Sequence, residues 1–144
     1  GLRFLFLAVL AASCAREPDL RVYCSLDQVH AEPIVALFEQ RTGLKVKADF
    51  DVERNKTVGL VNRIIAENRT GRSLADVFWN NETGQTLRLQ GLGLTAPHRS
   101  EATDGIPAEF RDPLHHWVGF AARARVILHR TDIPSIRIPE KWEE

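Results

Sequence analysis

An excess of charge of either sign is missing. Nineteen Lys and Arg balance nineteen Asp and Glu over 144 residues, so the formal net charge is zero. Nucleic-acid-binding chains normally carry a basic excess, and no basic amphipathic stripe marks a membrane-surface helix. Cysteine is scarce: only Cys14 and Cys24 are present, without clustered histidines, which excludes a zinc signature. The apolar run over residues 4–12 falls short of the roughly 20 residues that span a bilayer. Catalytic patterns are missing as well. There is no Gly-rich phosphate loop, no HExxH and no GxSxG, and no Ser/His/Asp arrangement stands out. What is present is globular: 44% hydrophobic and 26% charged residues, at a length that can bury a real core.

The opening "GLRFLFLAVLAASC" has the form of a secretory signal: Arg3, an apolar stretch, then small residues. Its end, "LAASC", resembles the lipobox of bacterial lipoproteins, with Cys14 the lipidated first mature residue and Ala11 standing where Leu is usual. A plain secretory signal is the alternative. Residues 1–14 are read as the signal and 15–20 as a tether. Cys24 is expected to pack as a small apolar residue in a strand, with a Cys14–Cys24 disulfide as the alternative in an oxidising compartment. A first residue other than Met and a last segment, "IPEKWEE", that reads as the start of a helix suggest a fragment.

From residue 21 the pattern is regular. "RVYCS" is rich in strand formers. "DQVHAEPIVALFEQRTG" spaces Ile34, Leu37 and Phe38 as one helical face, with Asp27 as N-cap, Pro33 close to the first turn and Gly43 as the stop. "LKVKADF" alternates as a half-buried strand. "NKTVGLVNRIIAENRTG" puts Val58, Val61, Ile64 and Ile65 on one face, capped by Asn55 or Thr57 and ended at Gly71. "LADVFWN" is an apolar third strand of the kind covered on both faces. The order predicts an α/β fold: a parallel β-α-β-α-β sheet with right-handed connections over residues 21–80, then a short helix over 86–90. Residues 97–113 read as loop, and 117–120 and 124–129 as two short strands.

Ligands of open parallel sheets bind beyond the carboxyl ends of the strands. That rule selects three polar loops: Ser25, Leu26 and Asp27; residues 51–55; and Asn80, Asn81 and Glu82. Helix N-termini behind such loops favour anions. Asn80, Asn81 and Glu82 either bind a ligand or form a turn and cap, and Asp27 is either an oxygen ligand or an N-cap. Asp51 and Glu53 read as solvated loop carboxylates, and His115 and His116 as two surface histidines on opposite faces of a strand. Trp79 is expected to pack at its strand end.

Several blocks, "VYCSLDQVHAEPIVALFEQRTGLKVKADFD", "KTVGLVNRIIAE", "ADVFWNNE" and "FRDP…WVGFAARARVIL", together resemble extracellular solute-binding proteins of bacterial ABC importers, nearest the ferric-iron binders. The resemblance runs in order over residues 21–142. It implies two α/β lobes that close like a hinge on a ligand. Residues 21–116 would form the first lobe, and 117–144 the crossing strands and the start of the second. It implies a monomeric periplasmic or lipid-anchored binding protein, without catalysis, that delivers ferric iron and a synergistic anion to an inner-membrane permease. Asp27 stands where such binders offer a His, the carboxylate after the third strand falls at Asn81 or Glu82, and Arg123 matches the anion-contacting Arg. Asp27 and Glu82 would be the metal ligands, with Asn80, Asn81 and Arg123 completing the site. The paired tyrosines of ferric binders belong to the second lobe, and the single Tyr here is Tyr23. The same role for a small organic solute, or an exported enzyme on the same scaffold, are the competing readings. A half-protein also implies exposed apolar surface that the other lobe would cover.

Overall fold

The computed structural model describes residues 17–50, 56–122, 126, 130 and 132. These fall into two compact units, one within residues 1–95 and the other within 96–144. The first unit runs β1 (Leu20–Cys24), α1 (Gln28–Thr42), β2 (Val46–Phe50), α2 (Lys56–Arg69), β3 (Val77–Trp79) and α3 (Thr83–Gly91). All strand pairs are parallel, in the order β2-β1-β3, so β1 is central. The α/β expectation holds for this unit.

Alternation along β1 divides the core. Tyr23 turns to one face and packs with Leu60, Val61 and Ile64 of α2 and Leu89 of α3. Val22 and Cys24 turn to the other, against Ala31 of α1, with Trp79 and Phe50 at its margin. Cys24 is therefore an interior strand residue, as expected; Cys14 lies outside the described residues. The amino ends of the strands are held by carboxylates that accept backbone N–H groups. Asp76 Oδ2 accepts from Arg21 at 2.7 Å, Asp19 Oδ2 from Lys45 at 2.8 Å, and Glu39 Oε1 from Val46 at 2.8 Å.

Glu67 ties the Tyr23 face together. Its carboxylate accepts from the Tyr23 hydroxyl at 2.6 Å, Arg63 Nε at 2.9 Å and the Leu74 N–H at 3.2 Å. Arg63 lies over the Tyr23 ring at 4.3 Å and reaches Asp49 on β2 at 3.5 Å. Burial and the bond to Glu67 push the Tyr23 phenol up to about 12. Burial by itself would raise Glu67, but its bonds from Tyr23, Arg63 and Leu74 outweigh that and hold the carboxyl below its usual range.

Helix faces differ from the periodicity reading. On α1 only Ala31 is buried, while Ile34, Leu37 and Phe38 are exposed at 52, 45 and 41%. Ala31 is small enough to sit directly on the sheet against Val22 and Cys24, whereas Ile34 and Phe38, three and seven residues on and on the same helical face, stay largely uncovered. Pro33 lies in the second turn, inside the helix, where it removes one backbone bond. On α2 the buried residues are Thr57, Leu60, Val61 and Ile64, with Ile65 packed against them; Val61, Ile64 and Ile65 face the core as expected, whereas Val58 is exposed and Thr57 and Leu60 widen the stripe. Gly43 and Gly71 both adopt left-handed backbone just past their helices, at φ 74 and 69°. Asn55 lies outside the described residues.

In the second unit the expected loop is shaped by two 3-10 turns, Glu101–Thr103 and Ala108–Phe110. Residues 117–120 form no strand; the pairing is a single antiparallel bridge, Arg111 to Val118. Asp112 is buried, and its Oδ2 accepts from the N–H groups of Leu114 and His116 at 3.1 Å each. His115 sits in this turn at φ 64°, exposed, with His116 half-buried, so a turn, not strand alternation, separates the two histidines. The expected strand over 124–129 lies almost wholly outside the described residues. Among the described residues no helix is long and apolar enough to cross a membrane.

Candidate functional site

The parallel topology brings the loops after β1 and β3 to one edge of the sheet as immediate neighbours. The ladder continues past both strands, since the Ser25 N–H donates to the Trp79 carbonyl at 3.0 Å. Asp27 then leads α1, and Asn80, Asn81 and Glu82 lead α3. The loop after β2, residues 51–55, lies outside the described residues, as does Arg123.

Asn80 is the turn former. Its Oδ1 accepts from the Glu82 N–H at 2.8 Å, closing an Asx turn, and its Nδ2 donates to Thr86 Oγ1 at 3.0 Å on the first turns of α3. These two bonds start α3 at Thr83, three residues before the expected helix. Replacing Asn80 with Ala is expected to cost about 1 kcal/mol of stability, the usual worth of a capping side chain. A urea unfolding curve with an unchanged slope and a lowered midpoint is the readout.

The turn thus uses the side chain of Asn80 and the backbone of Glu82, and neither of these bonds involves the side chain of Asn81 or Glu82. Both are exposed. Glu82 holds the N-cap position of α3 in extended backbone, φ −122 and ψ 93°, yet its side chain makes no capping hydrogen bond. Asp27 repeats the arrangement at α1: N-cap position, extended backbone, exposed, no side-chain cap. Neither carboxylate therefore caps its helix through its side chain; at the opposite edge Asp19, Glu39 and Asp76 accept from backbone N–H groups. Two helix N-termini and two non-capping carboxylates share the carboxyl edge. Such an edge offers oxygen donors to a hard cation and N–H groups to an anion held with it. Among the described residues no group of three or more His, Cys, Asp or Glu side chains comes together.

Tyr23 is not part of this edge. Its ring is fully buried and its hydroxyl is bonded to Glu67 near the far end of α2. Trp79 packs at its strand end on the α1 side of the sheet, as expected. Ser25 was legible only as a loop residue. The structure places it 4% exposed, with a hydroxyl that has no hydrogen-bond partner, and no sequence pattern signals that.

No family model matches the chain. Over 138 residues it is 29% identical to iron uptake protein A1 of Synechocystis sp., an alignment covering 83% of this chain and 35% of that protein. The ferric binding protein of Campylobacter jejuni superposes with a TM-score of 0.61 at 28% identity, over 69% of this chain and 30% of that one. The chain shares its fold with ferric-binding proteins. A Trichodesmium protein solved with iron and citrate matches at 31% identity and TM-score 0.60, covering 70% of this chain and 30% of that one. The periplasmic binding protein AfuA of Actinobacillus pleuropneumoniae, solved with fructose-6-phosphate, matches at 29% identity and TM-score 0.57, covering 65 and 28%. The chain spans about a third of the length of the relatives it matches.

Proposed function

We propose that this chain is the first-lobe portion of an exported substrate-binding protein that serves an ABC importer. It captures ferric iron with an accompanying anion and delivers it to an inner-membrane permease, acting as a monomer and without chemistry. Export to the periplasm, or anchoring through a lipidated Cys14, fits the signal-like opening of the sequence. The observation that carries the reading is the pair Asp27 and Glu82, each at a helix N-cap on the carboxyl edge and neither spent as a cap. Carboxylate oxygens suit a hard cation. Similar proteins are named for iron uptake or were solved with iron and citrate. Asn80 sets the turn that presents Asn81 and Glu82, and Arg123 is assigned to the anion. Residues 21–116 are read as the first lobe, with the remaining ligands supplied by the second.

In the complete protein, Glu82→Ala is expected to weaken ferric citrate binding at least tenfold, about 1.4 kcal/mol or more. Calorimetry on both forms checks this, and equal affinity removes Glu82 from the site.

A second reading is a sugar phosphate as cargo, favoured by the likeness to a protein solved with fructose-6-phosphate and by the two helix N-termini at the edge. Under that reading Glu82→Ala tightens or leaves unchanged the binding of the anion, since it removes a like charge. The sign of the change separates the two cargoes.

A further inference from the structure

An open cavity of about 440 Å³ lies between the carboxyl-terminal ends of α2 and α3. α2 ends where the chain turns back toward the amino end of β3, so this cavity is at the opposite end of the first unit from Asp27 and Glu82. Its floor is apolar: Ile65 and Leu94 line it, half-buried, and both pack against the Tyr23-face core. Asn68 and Arg69 of α2 and Arg88 of α3 line it as exposed residues. No carboxylate is among its walls. Arg63, earlier on α2, is committed to Glu67, Asp49 and the Tyr23 ring. Arg69 and Arg88, by contrast, have no ion pair or side-chain hydrogen bond among the described residues. Two cations from two helices therefore border one apolar recess without a counter-charge. Each stands in the last turn of its helix, where an arginine also offsets the negative end of the helix dipole. That role accounts for each arginine singly and needs no shared cavity.

We propose that this cavity is a second ligand site, for a small organic anion. Its charged head meets Arg69 and Arg88, and its apolar body lies on Ile65 and Leu94. A guanidinium presents a planar fork of donors that matches the oxygens of a carboxylate or a phosphate, and the Asn68 amide adds a neutral donor on the same wall. Small-molecule sites are typically recesses of roughly 300–1,000 Å³ with apolar walls and a few polar groups, and this one falls in that range. The site is separate from the carboxyl edge, so it does not depend on iron being the cargo there.

The test uses the complete, iron-free protein with octanoate, octyl phosphate and 1-octanol as probes, read by calorimetry. Saturable binding of at least one of the two anions is expected. Octanol keeps the apolar body without the charge and should bind at least tenfold more weakly. Arg69→Gln and Arg88→Gln should each weaken anion binding roughly tenfold, the loss of one charge-assisted contact at an exposed position. Gly91→Phe tests the cavity itself. Gly91 lines it, and a Cβ added there meets nothing within 4 Å, so the ring has open space to fill and should abolish anion binding. Thermal midpoints without probe are read for every variant. A glutamine pair with lowered midpoints and wild-type anion affinity makes the two arginines dipole partners only and overturns the proposal. Failure of both anions to bind overturns it as well, as does octanol binding as tightly as they do. Anion affinity unchanged in all three variants also overturns it, because the anion then binds elsewhere on the molecule.

Discussion

Replacing Glu67 with Ala is expected to destabilise the protein by about 3 kcal/mol, more than any change at the candidate site. One side chain satisfies three donors, the Tyr23 hydroxyl, Arg63 and the Leu74 N–H. Tyr23 is fully buried, so its hydroxyl is left without an acceptor, and Arg63 keeps the longer contact to Asp49 and its place over the Tyr23 ring. Glu67→Gln retains an acceptor for Tyr23 and should cost about 1 kcal/mol. Chemical denaturation at pH 7 measures both. The pH dependence gives a second readout. A carboxyl held below its unfolded value stabilises the fold above that value, about 4.3 for Glu, and the contribution fades as pH falls through the lowered one. The gap between wild type and Glu67→Ala should therefore be full at pH 7 and narrow on acidification below about pH 4. A constant gap across that range contradicts the assignment.

Leu89→Ala is the second large effect, expected to cost about 3 kcal/mol. Leu89 is 2% exposed and is the only buried residue of α3, so it anchors that helix to Tyr23 and α2. Truncation leaves a cavity at the one point where α3 enters the core. Because α3 carries Glu82 and Gln85 at its amino end, loosening it should also speed amide exchange in its first turns. Leu92, 53% exposed, is the control: its Ala variant should lie within about 0.5 kcal/mol of wild type. Equal losses at the two positions would mean that α3 is not anchored through Leu89.

The sheet was legible because its signals are local. β-rich runs, helical spacing and stop glycines at 43 and 71 mark elements by nearest-neighbour chemistry, and crossovers of that length leave parallel pairing as the outcome. Which face of a helix is buried is not local. Ile34, Leu37 and Phe38 form a good stripe by spacing, but contact with β1 is decided by how closely the helix approaches, and Ala31 permits the closest approach. The short strand expected over 117–120 failed for a related reason: apolar composition cannot reveal that the buried Asp112 organises the preceding chain as a turn. At the site, position along the sheet was legible and role was not. Asn80, Asn81 and Glu82 look alike as turn formers, and only the hydrogen bonds assign the turn-closing side chain to Asn80 and show that the Glu82 side chain does not cap α3.

The most direct test of the central claim is iron binding by the complete, iron-free protein, compared with an Asp27→Asn, Glu82→Gln double variant. These changes keep size and polarity and remove the two charges. The account predicts saturable binding of ferric iron offered as citrate to the wild type, at least a hundredfold weakened in the double variant. Iron binding that survives the double change, or a wild type that binds a sugar phosphate and no iron, contradicts it.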